Sequence, residues 1–234
     1  MADELELKIE EIIQRTYNVK SFRAEVGGEI GFQAGQFLQV SLEVEPELKR
    51  YLSISSSPSE KGYLEFTKKI TESDFSKTLT NLKVGDYVKI KYPFGNFTLD
   101  EAAKKIAFIS GGIGITPIRS ICKSVVDKKL GTEITLIYAN RTFEDIAFRE
   151  DFERMQEQYP KLKVVHVLSE ASPGFMSRVG RVNNQVVKDE IPDYLERKFY
   201  LCGPPAMVEA MKKILSEESI LPKESIITEN FVGY

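Results

Sequence analysis

The sequence predicts two domains of different class. Residues 1–100 read as an N-terminal antiparallel β-barrel, and residues 101–234 as a C-terminal α/β domain built on a doubly wound parallel sheet. Three observations carry this. The chain's 234 residues exceed the usual reach of one hydrophobic core. Its first hundred residues repeat short apolar or alternating runs broken by turn residues. Beyond about Ala103, strand-like runs alternate with helical patterns, the rhythm of βαβ units.

In the first half the runs cover residues 5–13, 37–44, 50–55, 63–70 and 87–92. Gly27-Gly28, Pro46, Pro58 and Gly85-Asp86 punctuate them, a spacing that suits a sandwich or a small closed barrel. A short helix is expected over residues 75–82. In the second half strands are expected over residues 105–110, 133–139, 164–168, 199–202 and 226–231. Helices fall between them over residues 117–129, 148–158, 183–190 and 205–216. Right-handed crossovers then give a parallel sheet with helices on both faces.

Composition narrows the function. A hydrophobic share of 42% fills two cores and leaves no case for disorder. A net charge of −3 without any basic block offers no field for nucleic acid or anionic lipid. No apolar run approaches the ~18 residues that span a bilayer, so no membrane insertion is expected. The N-terminus lacks the basic and apolar regions of a signal peptide, which makes the expected location cytoplasmic. Only Cys122 and Cys202 exist, whereas an iron–sulfur cluster typically takes four thiolates. His166 is the single histidine, too few for a structural zinc site, and its apolar strand gives it a packing role. No metal is expected. Chemistry here belongs to a bound organic cofactor.

Four motifs stand out. Ser110-Gly-Gly-Ile-Gly-Ile-Thr-Pro117 follows a strand and opens a helix, with Thr116 suited to the N-cap and Pro117 to the first turn. Its glycines at 111, 112 and 114 let a ligand approach the backbone, and free N–H groups with the helix dipole favour a phosphate. The spacing is G-x-G-x-T-P, which differs from the G-x-G-x-x-G fingerprint. Arg50-Tyr51-Leu52-Ser53 continues to Ser57, and alternation along a strand places residues 51, 53 and 55 on one face. That face carries a ring to stack on a flat heterocycle and hydroxyls to bond ring nitrogens. Arg50, on the other side, can pair with a pyrophosphate. Tyr200-Leu-Cys202-Gly203-Pro204-Pro-Ala-Met207 reverses the chain at the carboxyl edge of the sheet, where open α/β folds bind ligands. The tail, Glu229-Asn-Phe231-Val-Gly-Tyr234, is the fourth. Taken singly, each has a plain structural reading: a turn, an edge strand, a buried thiol, a frayed end.

In this order the four motifs resemble the ferredoxin–NADP⁺ reductase family over nearly the whole chain. The resemblance implies a flavin-binding barrel followed by a nucleotide-binding domain. It places Arg50 at the flavin pyrophosphate, Tyr51 on the isoalloxazine and Ser53 near its reactive nitrogen, with Leu52 between them. Thr67, Lys68, Lys69 and Ile70 follow the ribityl and phosphate portion, and Phe75, Ser76 and Lys77 hold the pyrophosphate. Residues 92–97 close the flavin domain. Gly112, Gly114 and Thr116 meet the nicotinamide cofactor's pyrophosphate. Cys202, Gly203, Pro204 and Met207 border the nicotinamide, with Glu229 nearby. Phe231 covers the second flavin face, with Tyr234 as the rival for that place. Ser53, Cys202 and Glu229 are thereby the expected catalytic groups. FAD is expected over FMN, and the chemistry is hydride transfer between nicotinamide C4 and flavin N5.

Many family members carry a fused iron–sulfur domain. Two cysteines exclude it here, so the acceptor is expected to be separate: a ferredoxin-like carrier, another redox protein or free flavin. Lys20, Arg23, Lys68, Lys69, Lys89 and Lys91 suggest a basic docking face for an acidic carrier. Both NADH and NADPH stay open as cosubstrate. Asn140 and Arg141 end one strand of the nucleotide domain and Glu170 follows the next. A carboxylate at Glu170 suits ribose hydroxyls and repels a 2′-phosphate, which favours NADH, with Arg141, Arg178 and Arg181 as the opposing cations. A flavin reductase, which uses flavin as substrate, and an electron-transfer subunit of a larger complex are the alternatives.

Overall fold

The computed structural model describes residues 2–28, 30–218 and 221–230. The N-terminal half contains β1 (Asp3–Thr16), β2 (Val19–Glu25), β3 (Phe37–Leu42), β4 (Leu48–Ser53), β5 (Tyr63–Lys69), helix α1 (Asp74–Asn81) and β6 (Tyr87–Phe94). These strands form one antiparallel sheet in the order β4-β3-β6-β1-β2-β5. The long strand β1 curls it. Its first residues, Asp3 to Lys8, pair with β6, and from Ile9 onward it pairs with β2, with a bulge at the changeover. A single bridge between Ile54 and Phe66 brings the two sheet edges together and closes the barrel. Inward side chains such as Ile9, Phe22, Leu38, Val40, Phe66 and Ile90 fill it, and Phe75 and Leu79 of α1 plug one end.

The second half contains β7 (Lys105–Gly111), α2 (Ile115–Lys128), β8 (Glu133–Asn140), α3 (Arg149–Gln158), β9 (Leu162–Leu168), β10 (Arg178–Val179), α4 (Asn184–Glu190), β11 (Lys198–Gly203), α5 (Pro205–Lys213) and β12 (Ile226–Asn230). All six strands run parallel in the order β10-β9-β8-β7-β11-β12. The winding reverses between β7 and β11, so a crevice opens beyond their carboxyl ends, where such folds take ligands. Helices α4 and α5 cover one face of the sheet. Helix α2 lies between the other face and the barrel. Ile115, Ile118, Ile121 and Cys122 pack into one cluster with Phe108 and Tyr138 of the sheet and with Ala34 and Phe97 from the barrel side. No helix among the described residues is long and apolar enough to cross a membrane.

Two expectations need correction. Strand β2 is absent from the sequence reading, because Lys20 and Arg23 interrupt the apolar alternation of its inward residues. Thr116 does not cap α2. A turn of 3₁₀ helix over Gly112–Gly114 precedes the helix, Gly114 occupies the cap, and the Thr116 hydroxyl donates back to the Ile113 carbonyl at 3.0 Å. Three glycines in four residues let the chain tighten there before the α-helix begins.

The joint between the halves depends on Gly35. Its φ is +98°, and a Cβ there would run into the Phe97 carbonyl and come within 2.9 Å of Ile121 Cδ1 on α2. Gly35→Ala adds a left-handed backbone penalty of roughly 1–2 kcal/mol to that clash. At roughly 2–4 °C per kcal/mol for a chain of this size, melting should fall by about 5 °C or more. Unchanged thermal unfolding would contradict the packing described for this joint.

Candidate functional site

The crevice has a barrel wall and a sheet wall. On the barrel wall β4 presents Tyr51, 59% exposed despite its size. Its ring stands edge-on to Phe37 at 5.6 Å and to Phe94 at 5.7 Å, leaving an open aromatic surface. Arg50 is exposed, with its guanidinium 5.7 Å from the ring of Phe75 at the start of α1. Leu52 points into the barrel core. Ser53 is 2% exposed, yet its hydroxyl has no hydrogen-bond partner, an arrangement that ordinarily costs about 1–3 kcal/mol.

Ser55 does not share the face of Tyr51 and Ser53. Strand β4 ends at Ser53, and the Ser55 hydroxyl turns inward to Glu65 at 3.0 Å and Thr67 at 2.8 Å. Thr67 is likewise committed inside, its hydroxyl bonded to Ser55 and Ser21. Lys68 lies buried beside exposed Lys69, and burial first, then Arg50, holds its ammonium below the usual lysine range. Ile70 is tied to the β1–β2 hairpin by its N–H to the Asn18 carbonyl. At α1, the Ser73 hydroxyl caps the helix by accepting from the Ser76 N–H, and Thr71, Ser73 and Ser76 bond one another at 3.1 Å. Phe75 is buried and Lys77 exposed.

On the sheet wall the glycines divide by role. A Cβ at Gly114 would meet the Cys202 carbonyl and Gly203 Cα, and one at Gly111 would meet Met207 and Pro204. At those two positions glycine is required by packing within the protein. Gly112 is different. It has φ +52° with open space where a Cβ would stand, and its carbonyl is held by the Tyr138 hydroxyl at 3.2 Å. Around it lies a cleft of about 340 Å³ lined by Gly112, Asn140, Arg141, Pro204 and Met207 from the sheet and by Tyr17, Asn18 and Lys69 from the barrel. The Tyr17 hydroxyl crosses the mouth to Asp145 at 2.9 Å.

The walls meet through Phe37. It pairs with Ser53 in the β3–β4 ladder and crowds the space above Gly95. The same side of Gly95 faces Glu229, whose Oε1 lies 3.7 Å from where a Cβ would stand. Glu229 is the strand partner of buried Cys202. Glu229 Oε2 is buried without a partner among the described residues, and burial pushes this carboxyl up to about 7. Burial also raises the Cys202 thiol, with Glu229 adding to it. Ser53, Cys202 and Glu229 are therefore linked through one junction. Phe231 and Tyr234 lie outside the described residues.

Comparison with known proteins follows these two walls. Residues 4–99 match the oxidoreductase FAD-binding domain and residues 108–213 the oxidoreductase NAD-binding domain. NADH-cytochrome b5 reductase 1 of Aspergillus terreus is 33% identical over 79% of this chain and 66% of its own length. The Dictyostelium discoideum protein of that name is 32% identical over 83% of this chain and 71% of its own. The chain belongs to the ferredoxin reductase and cytochrome b5 reductase family of FAD- and NAD-binding oxidoreductases. It spans about two thirds of the length of the curated relatives it matches. Solved structures agree in fold. The cytochrome b5 reductase domain of Ulva prolifera nitrate reductase superimposes with a TM-score of 0.86 over 97% of both chains at 24% identity. A Neisseria gonorrhoeae ferredoxin NADP⁺ reductase with bound FAD and NADP gives 0.83 over 98% of this chain and 99% of that one, at 21% identity.

The residues of this family member fit a flavin and a dinucleotide. An open aromatic surface at Tyr51, an unpartnered Ser53 hydroxyl and a left-handed glycine facing a cleft are what such ligands need. The sequence reading missed Phe37 and Phe94 as supports of Tyr51. It also missed the hairpin tip Tyr17-Asn18, which could not be placed without β2. The proposed basic face does not form. Lys20 and Lys68 pair on β2 and β5, whereas Lys89 and Lys91 sit on β6, two strands from β2 in the sheet. Arg23 is bonded to Glu65 and Glu11, and Lys89 to Glu43. Arg178 is engaged by Glu190 at 2.6 Å and Asp189 at 3.0 Å. His166 packs against Tyr138 and Phe175 as expected, with burial lowering its imidazole.

The raised Glu229 carboxyl has a consequence for stability. Folded protein keeps this proton up to about pH 7, whereas the unfolded chain releases it near the ordinary glutamate value of 4.5. Stability is therefore lost as pH rises through that window and is flat above it. In the apoprotein, Glu229→Gln should match the wild type at pH 4.5 and melt higher at pH 8. An equal difference at both pH values would show that the carboxylate is already ionised and satisfied.

Proposed function

We propose that this chain passes electrons from NADH to a separate small redox protein through FAD held against β4. The carrying observation is the junction described above, where Phe37, the ladder partner of Ser53 with its unpartnered hydroxyl, packs against Gly95, and Gly95 faces Glu229, the strand partner of Cys202. A flavin there supplies hydride acceptance and onward transfer of single electrons. The residues do the rest. Arg50, Lys68 and the α1 N-terminus bind phosphate charge. Tyr51 orients the ring, and Ser53 offers a hydroxyl to a ring nitrogen. Glu229, protonated near neutral pH, can hold or release a proton beside the nicotinamide. Gly112 takes the second pyrophosphate, and closure against Phe37 keeps water from the junction.

Two observations favour NADH. The relatives are named as NADH enzymes, and Arg141 is held by Glu170 at 2.8 Å, so the cleft rim presents a neutralised pair. The acceptor follows the same relatives toward a cytochrome b5-like protein, with a ferredoxin as the other candidate carrier.

Purified protein should carry about one FAD per chain, retain it through gel filtration and bleach when NADH is added without oxygen. Loss of flavin on the column, with activity only on added flavin, would favour a flavin reductase. NADH should exceed NADPH in kcat/KM with ferricyanide. Glu170→Gln frees Arg141 and should shift that ratio toward NADPH by about tenfold, roughly 1.4 kcal/mol. An unchanged ratio would remove the pair from the site.

A further inference from the structure

One buried charge cluster lies outside both cofactor walls and yet touches both. Arg119 stands on α2, one helical turn after Ile115 and so just beyond the Gly112–Gly114 turn. It is 4% exposed. Its guanidinium donates to the Ser55 carbonyl at 3.1 Å, two residues beyond Ser53. It also grips Glu60 with two nitrogens, one of them 2.9 Å from Oε1, and Asp151 of α3 at 3.1 Å. The adjacent Ser120 hydroxyl donates to the Ser56 carbonyl at 2.6 Å. Beneath the cluster the Phe148 ring faces Arg119 at 5.8 Å and Arg15 at 4.5 Å, and Arg15 in turn bonds Glu65 of β5 at 2.9 Å.

Each partner matters for the direction of the tie. Ser55 and Ser56 carry the chain out of β4, the strand of Tyr51 and Ser53. Helix α2 grows out of the dinucleotide turn. Asp151 belongs to the helix that follows β8, whose end lines the cleft. A planar guanidinium with five donors can bind these three directions at once, whereas an ammonium cannot reproduce that fork. Burial makes the geometry stiff, since any shift would strand a charge or a carbonyl without a partner.

We propose that Arg119 is a positioning residue: it fixes the distance between the flavin strand and the dinucleotide turn, and thereby the alignment of the two reacting rings. This inference rests on the electron-transfer reading above. A misplacement of about 1 Å from a change remote from the chemistry can cost on the order of a hundredfold in rate. The signature of Arg119 is therefore slow reduction of a flavin that is still bound, by a nicotinamide that still binds.

The test compares Arg119→Lys with Arg197→Lys in FAD-loaded protein. Arg197 is a half-buried arginine at the opposite end of the same sheet, held by Asp193 and by the Ile106 and Glu133 carbonyls. Single-turnover reduction by NADH should fall at least tenfold in Arg119→Lys and weaken the long-wavelength nicotinamide–flavin absorbance. FAD affinity, titrated into apoprotein, and NADH affinity should stay within about threefold. Amide exchange in the apoprotein should quicken together at residues 54–57 and 112–116. Arg197→Lys should lose a comparable amount of thermal stability and keep its reduction rate. Equal rates in the two variants, or faster exchange in only one of the two segments, would overturn the inference. Glu60→Gln, which keeps the shape of the cluster, should show the same pattern more weakly and decides the matter if Arg119→Lys does not fold. Wild type that NADH fails to bleach would instead overturn the electron-transfer reading itself.

Discussion

The molecule depends on helix α2 being buried on both sides. One side packs on the parallel sheet through Ile118 and Cys122, and the other meets Phe97, Gly35 and the buried arginine cluster from the barrel. A helix exposed to solvent on one face would leave the two halves joined by fewer ties, such as Tyr17–Asp145 and Gly95–Glu229, and freer to move as loosely packed domains do. Here the same helix begins at the dinucleotide turn and carries the guanidinium that holds the outgoing end of the flavin strand. The position of one site relative to the other is thus written into a single rigid element.

Around that element the crevice is built at a cost. Ser53 and Glu229 keep buried oxygens without partners, and Glu229 retains its proton to about pH 7. Unsatisfied polar groups of this kind are rare in protein interiors, and they gather where a ligand completes the hydrogen bonding. The Gly112 turn follows the same logic, with a left-handed backbone that glycine adopts without penalty held by Tyr138 over open space. The surrounding framework is saturated by contrast. Ser55, Thr67, Ser21 and Glu65 bond one another inside the barrel.

Much of this was legible in the sequence. Period-two runs and strand–helix alternation located five barrel strands and the regular elements of the second sheet, because burial of one face imposes those periods. The two-residue β10 lay below that reading. Of the residues that the motifs marked, Ser53, Cys202 and Glu229 are linked through Phe37 and Gly95, Gly112 lines the cleft beside them, and Arg50 lies against Phe75 of α1. What was not legible follows from tertiary effects. Alternation placed Ser55 beside Ser53, but the strand stops and the Ile54–Phe66 bridge rotates the chain inward. Thr116 reads as a helix cap until the preceding glycines wind into a 3₁₀ turn. Gly111 and Gly114 look like ligand glycines, yet they admit Met207 and Cys202. Arg119 carried no local signal at all, since its partners are 32 to 64 residues away in sequence.

In the electron-transfer reading the flavin ring lies on Tyr51 between Ser53 and the Glu229–Cys202 pair. A crystal structure of the FAD-loaded protein tests it most directly. The account predicts the ring over Tyr51 with the Ser53 hydroxyl bonded to it and Glu229 facing the edge that a nicotinamide reaches. A flavin bound elsewhere, with the Ser53 and Glu229 oxygens still unpartnered, would contradict it.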